Sequence, residues 1–148
     1  AYLTISTGVG GARIVDGRID RYAVGFEPGH QIINFQEPAR VWEDYISGRA
    51  VFNAAGRAPN TIHEPNFWAK IDELTAYGLY NTILHWSPDL VVVGGSMLKQ
   101  PGINLAAVAK RLQKINRILP TLPPLVPASL GDFGGLHGGL ALLRQKIS

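Results

Sequence analysis

Residues Leu3 to Tyr22 (LTISTGVGGARIVDGRIDRY) constrain the fold of this chain more than any other stretch. Leu3 and Ile5 alternate with Thr4 and Ser6 in the period of a half-buried strand, and Thr7-Gly8-Val9-Gly10-Gly11 breaks that alternation. Arg13-Ile14-Val15 forms a second run that ends at Asp16-Gly17, a dipeptide suited to the positive φ angles of a two-residue hairpin turn. The stretch therefore predicts three short antiparallel strands joined by two tight turns.

The first of those turns is the candidate anion site. Gly8, Gly10 and Gly11 let the backbone take positive φ and come close to a ligand. Successive N–H groups in such a turn can form a concave nest, with the Thr7 hydroxyl as a further donor. The same glycines also suit a tight bend at a sheet corner. Two common nucleotide signatures are excluded. Arg13 stands where G-x-G-x-x-G needs its last glycine, a strand follows where that motif needs a helix, and no Gly-Lys-Ser/Thr follows.

At 148 residues the chain suffices for one domain that buries roughly two thirds of its unfolded surface. A hydrophobic content of 46% against 17% charged residues places it among soluble globular proteins. The net charge of +3 is small and dispersed, which argues against nucleic acid or a membrane surface as partner. Zero cysteines exclude disulfides, thiolate metal sites and a cysteine nucleophile; the cytoplasm, the expected compartment, is compatible with that. No apolar run reaches the ~20 residues of a membrane span, and no signal peptide is visible. Ala1-Tyr2 leads straight into a strand without an initiating Met, so the chain is read as a fragment.

Downstream, Val24-Gly25-Phe26-Glu27-Pro28-Gly29-His30 contains a Pro-Gly turn that should hold Glu27 and His30 together on a loop. A carboxylate beside an imidazole suits sugar hydroxyls; a casual exposed pair is the plainer alternative. Val41 to Ala55 predicts one helix ended by Gly56, with Trp42, Tyr45, Ile46 and Phe52 inward. Glu43 and Asp44 sit in its first turn, where carboxylates complement the helix dipole. Pro65 opens a long helix from about Asn66 to Trp86, its inward positions running from Phe67 through Ile71, Leu74 and Leu79 to Ile83. Ser87-Pro88 stops it. Leu90-Val91-Val92-Val93 then reads as a strand buried on both faces, with Gly94-Gly95-Ser96 at the end where open α/β sheets bind ligands.

Asn104 caps a helix reaching about Leu119, with Leu105, Val108, Leu112 and Ile115 inward. Lys110, Arg111, Lys114 and Arg117 form its solvated face; no aromatic residues interleave them, so nucleic acid is not the expected partner. Pro123 to Pro127 fits only a short edge strand. The last helix starts near Asp132, with Leu136, Leu140, Leu143 and Ile147 as its stripe. Gly134, Gly135, Gly138 and Gly139 each cost about 1 kcal/mol there against alanine, which points to a close approach to the sheet or a ligand, or to tight packing alone. The element order βββ-α-α-β-α-β-α predicts an α/β, ribonuclease-H-like fold: a three-strand antiparallel meander extended by further strands, with helices on both faces.

Five motifs in this order resemble the C-terminal lobe of the ROK family, which holds glucokinase-like sugar kinases and sugar-responsive repressors within the actin-like ATPase superfamily. They are Ser6-Thr7-Gly8-Val9-Gly10-Gly11, Glu27-Pro28-Gly29-His30, Glu43-Asp44-Tyr45-Ile46-Ser47-Gly48, Ser87 through Ser96, and Leu130-Gly131-Asp132 with the glycine-rich final helix. The resemblance implies that residues 1–148 form the larger, C-terminal lobe of a two-lobed protein. It implies that the turn of Thr7, Gly8, Gly10 and Gly11 faces the phosphates of ATP, and that Gly94, Gly95 and Ser96 border the adenosine. Glu27, His30 and Glu43 would bind the sugar hydroxyls, and Mg²⁺ would accompany ATP.

Two departures from the family pattern matter. Members commonly hold zinc with the histidine of the Gly-His pair and three cysteines before the glutamate that matches Glu43. Gln31 to Trp42 contains no cysteine, so no zinc is expected, and packing of Trp42 and Pro38 should hold that loop instead. The second departure is that the family's N-terminal lobe, with its first phosphate loop and catalytic aspartate, is not in this chain. No catalytic residue is therefore assigned here, and the fragment alone should be inactive. The expected partners are a sugar, ATP and that N-terminal lobe; a homodimer stays open. The alternative to a kinase lobe is the sugar-binding lobe of a repressor, or a binding module without turnover.

Overall fold

The computed structural model describes residues 1–20 and 25–147. The end of the third predicted strand, at Arg21 and Tyr22, and Val24 ahead of the Glu27 loop lie outside the described residues. Strands β1 (Tyr2–Ile5) and β2 (Val9–Ala12) pair antiparallel, with Tyr2 opposite Ala12 and Ile5 opposite Val9. Strands β3 (Ile14–Val15) and β4 (Arg18–Ile19) form a hairpin whose turn residues Asp16 and Gly17 have φ of 51° and 73°. Both angles are positive, as a type I′ turn demands and as the Asp-Gly pair predicts.

The glycine turn differs from expectation. Gly10 and Gly11 lie inside β2, and none of Gly8, Gly10 and Gly11 has positive φ. Their smallness serves packing. A Cβ on Gly11 would stand 2.7 Å from Leu3 Cδ2 and 2.9 Å from Pro28 Cγ. The turn itself shrinks to Ser6-Thr7-Gly8, closed by a Ser6 N–H bond to the Gly8 carbonyl at 2.9 Å.

A second small hairpin, β5 (Ile32–Asn34) with β6 (Arg40–Val41), lies between the Glu27–His30 loop and Glu43. The single helix expected over Val41 to Ala55 is two: α1 (Glu43–Ile46) and α2 (Gly48–Ala55). Ser47 separates them, because its extended backbone (ψ 156°) breaks the ladder while its hydroxyl accepts from Ala50 N–H at 3.1 Å and caps α2. The break turns Phe52 outward, 51% exposed, and puts Val51 in the core in its place. Helix α3 (Pro65–Trp86) begins at the predicted proline and ends at Ser87, whose φ of 47° marks a left-handed cap. It leads into β7 (Val91–Gly94), with Leu90 left outside the strand and partly exposed.

Helix α4 (Leu105–Ile115) is capped by Asn104, whose side chain accepts from Ala106 and Ala107 N–H at 3.0 and 3.2 Å. It stops short of Leu119 because the Asn116 side chain bonds the backbone of Ile118 and Leu119. Arg111 is not merely solvated: it bonds Glu73 on α3. Asp72 Oδ1 accepts the Asn104 N–H at 2.9 Å, and burial raises the Asp72 carboxyl above its ordinary value of 3.8 despite that bond. Strand β8 (Leu125–Pro127) forms the edge that its prolines predict. Helix α5 (Gly134–Ile147) follows a short 3-10 turn at Gly131–Phe133, so Asp132 precedes it by a turn and pairs instead with Lys99 at 2.9 Å.

The main sheet has the order β2-β1-β7-β8, antiparallel between β2 and β1 and parallel across β1, β7 and β8. The crossovers from β1 to β7 and from β7 to β8 run toward the same edge, so right-handed connections put α3 and α4 on one face, where they pack together. Leu3, Ile5, Val91 and Val93 are fully buried beneath them with Leu79 and Val108. This is the mixed sheet of the ribonuclease-H-like, actin-like ATPase fold. Its stated consequence is a ligand edge at the carboxyl ends of β1 and β7.

Candidate functional site

Two loops meet at that edge. Ser6 follows β1, Ser96 follows β7, and their hydroxyls lie 3.0 Å apart. Gly95, between the strand and Ser96, has φ of 106°, and a Cβ there would stand 2.1 Å from the Ile5 carbonyl. Only glycine lets the second loop lie this tightly against the first. The Ser6 carbonyl also accepts the Gly48 N–H at 2.6 Å, which fixes the start of α2 beside the turn. Gly94, Gly95, Ser96 and Thr7 thus gather around the ends of two parallel strands, with the Thr7 side chain exposed at the tip.

Val9 joins this turn to the predicted sugar residues. Its N–H donates to Glu43 Oε2 at 2.6 Å, a charge-assisted bond from the start of β2 to the first turn of α1. A Cβ on Gly8 would lie 2.7 Å from the same oxygen. On the other side, a Cβ on Gly29 would lie 2.3 Å from the Val9 carbonyl, so the Pro28–His30 turn rests directly on β2. Glu27 and His30 flank that turn at 67% and 64% exposure, with Oε2 and Nδ1 3.7 Å apart, outside hydrogen-bond reach. Both are open to a ligand. Glu43 is therefore placed by the fold, whereas the Glu27 and His30 side chains are placed only by their backbone.

The loop that lacks cysteines is held by side-chain amides and an indole. Gln31 Nε2 reaches the Pro28 carbonyl at 2.8 Å, the Gly78 carbonyl at 3.1 Å and Thr82 Oγ1 at 3.3 Å, tying the Glu27–His30 turn to α3. Trp42 is fully buried, and its Nε1–H donates to the Leu74 carbonyl at 2.9 Å. Its ring covers Gly78, where a Cβ would come within 2.2 Å. Asn34 Nδ2 donates to the Tyr45 hydroxyl at 2.9 Å. Pro38 is exposed and takes no part, contrary to expectation, because it sits in the loop that joins β5 to β6.

A cleft of about 540 Å³ opens between α2 and residues 96–101, with Thr7 and Ser96 at its inner end. That volume lies within the ~300–1,000 Å³ of small-molecule sites. Hydroxyls at Thr7 and Ser96 and cations at Arg49 and Lys99 give it donors for an anionic ligand, so a nucleoside phosphate fits the residues present. A larger hollow of about 860 Å³ lies between the β5–β6 hairpin, α2 and α3; of the predicted site residues only Glu43 borders it. Among the described residues no three His, Asp or Glu side chains gather into a metal-binding set. Sequence reasoning missed Ser6, Arg49 and Gln31. Ser6 carried a signal, since it mirrors Ser96 at the end of the neighbouring strand; Gln31 carried none, because its partners on α3, Gly78 and Thr82, lie about fifty positions away.

Comparison with known proteins gives the family and the fold. A family profile described as the ROK family matches residues 1–146. A fructokinase of Pediococcus pentosaceus is 27% identical over 99% of this chain and 56% of its own length. A glucokinase of Pyrobaculum calidifontis is 29% identical over 96% of this chain and 56% of its own. The chain thus spans about 56% of the curated relatives it matches. Among solved structures, a ROK hexokinase from Thermus thermophilus superposes with a TM-score of 0.81 at 25% identity, over 99% of this chain and 58% of that one. A ROK family glucokinase from Streptomyces griseus, solved with glucose and AMPPNP, gives 0.74 at 21% identity over 97% of this chain and 60% of that one. A ROK family transcriptional regulator gives 0.76 at 17% identity, over 97% of this chain and 45% of its own, a likeness of fold alone.

Proposed function

The chain belongs to the ROK family, and from that premise we propose that residues 1–148 are the larger, C-terminal lobe of an ATP-dependent hexose kinase. The intact protein transfers the γ-phosphoryl of Mg-ATP to a sugar hydroxyl in a cleft between this lobe and an N-terminal one. One observation carries the reading. Glu43 bonds the Val9 N–H beside the Thr7–Gly8 turn, so a group suited to sugar hydroxyls and a turn suited to phosphate share one hydrogen bond. A kinase needs its acceptor and its donor phosphate side by side, because phosphoryl transfer is achieved by in-line positioning and charge stabilisation.

In this reading Glu27, His30 and Glu43 hold the sugar hydroxyls. Thr7 and Gly8 face the phosphates, while Gly10 and Gly11 lie within β2, where Gly11 lets the strand pack against Leu3 and Pro28. Gly94, Gly95 and Ser96 border the nucleoside. The base that takes the hydroxyl proton belongs to the other lobe, and Mg²⁺ bridges the phosphates when ATP is bound. Curated relatives that are fructokinases and glucokinases support a hexose as acceptor, and the solved neighbour with glucose and AMPPNP supports ATP as donor. Among the described residues no helix is long and apolar enough to cross a membrane, and the cytoplasm, where ATP and sugars meet, is the proposed compartment. A repressor lobe is the second reading, supported by the fold likeness to a transcriptional regulator. It has no use for a cleft with phosphate donors beside the sugar residues.

The test is a coupled assay of the intact protein with ATP, Mg²⁺ and a panel of hexoses. ADP release dependent on one of the sugars is expected. Absence of turnover on every sugar would remove the kinase and leave the sensor.

A further inference from the structure

Helix α2 lays an unusual set of residues along the cleft that starts at Thr7 and Ser96. Gly48, Arg49 and Phe52 all border it, and Arg49 and Phe52, three positions apart, share a face of the helix. Arg49 stands in the first turn of α2, where the helix macrodipole disfavours a cation and no acidic residue offsets it. It has no ion-pair partner among the described residues. Phe52 is a large apolar ring left 51% exposed one turn further along, when a core position next to it is filled by Val51. The chain then caps at Gly56, and Pro59 and Asn60 beyond it line the same cleft together with Pro101.

The lining is thus of two kinds. Where α2 begins beside Ser6 there are hydroxyls and a cation for phosphate, and further along the chain there are an aromatic ring, prolines and a side-chain amide. We propose that Phe52 is the stacking platform for the base of the bound nucleotide, and that Arg49 holds its phosphate chain. Both are specificity-determining residues for the phosphoryl donor. Asn60, beyond Phe52, faces the base edge, where an amide can both donate and accept. A phenyl ring recognises the face of any base, and stacking on it selects a nucleotide over a bare polyphosphate. The guanidinium contributes to phosphate binding whether or not a base is attached. This inference rests on the kinase reading and adds to it the residues of this chain that select a nucleotide over an inorganic phosphate chain.

Calorimetric titration of the intact protein with ATP, ADP and inorganic tripolyphosphate tests it, on wild type, Phe52→Ala, Phe52→Trp and Arg49→Ala. Phe52→Ala is expected to weaken ATP and ADP by about tenfold or more, the usual effect of losing a base stack, and to leave tripolyphosphate unchanged. Phe52→Trp restores nucleotide affinity, which a merely structural role would not predict for a larger ring. Arg49→Ala weakens all three ligands. Steady-state rates should show a raised KM for ATP in Phe52→Ala with kcat little altered. Wild-type ATP affinity in Phe52→Ala, or equal losses of ATP and tripolyphosphate, would overturn the inference while leaving the kinase reading intact. Failure of the wild type to bind ATP or ADP would overturn both.

Discussion

Two sets of glycines in this chain behave in opposite ways. Gly29, Gly48, Gly78 and Gly95, on four separate elements, are each pressed against a neighbour, and a Cβ would meet backbone or ring atoms at 2.1 to 3.1 Å. In α5, a Cβ on Gly135, Gly138 or Gly139 would meet nothing within 4 Å. The helix that carries them also leaves Leu136, Leu143 and Ile147 at 73%, 58% and 86% exposure. Glycine density alone therefore does not mark a site. What marks it is glycine where two backbones must touch, since that contact lets loops from separate elements converge on one point.

The contrast can be broken at either end. Gly95→Ala is expected to have the largest effect. It adds a Cβ against the rigid Ile5 carbonyl and forces alanine to a φ of 106°, so it should destabilise the protein by about 3 kcal/mol or more. Urea unfolding measures this, and a loss below about 1 kcal/mol would mean that the two loops are not locked together. Gly138→Ala should have the smallest effect and the opposite sign, a gain of up to about 1 kcal/mol from helix propensity in open space. A loss at Gly138 would sharpen the comparison instead, by revealing a surface that rests on α5 in the intact protein.

The parts legible in the sequence are those governed by neighbouring residues. Asp16-Gly17 specified its turn, Ser87-Pro88 ended α3, Asn104 capped α4, and the β-branched run of β7 announced a buried parallel strand. The illegible parts depend on partners distant in the chain. Nothing local says that Ser47 caps a new helix within an unbroken apolar period; that choice follows from Gly48 donating to Ser6. Phe52 joined the predicted core stripe because the period was continued across that break. Gly11 read as part of a nest because Leu3 and Pro28, which need the space, are packed there only by the fold. Within the candidate site, Thr7, Glu27, His30, Glu43 and Ser96 stand out in the sequence as candidates, and their roles belong to the proposal. The bond that links Glu43 to Val9 was not.

That bond is the most direct place to test the proposed coupling of sugar and phosphate sites. Glu43→Gln keeps the shape and an acceptor oxygen but removes the charge that strengthens the 2.6 Å contact with Val9 N–H. Titration of the intact variant with a hexose substrate and, separately, with ATP should show both affinities reduced, by about fivefold or more for the sugar and less for the nucleotide. Wild-type affinity for both ligands would contradict the claim that one carboxylate holds the sugar and shapes the phosphate turn.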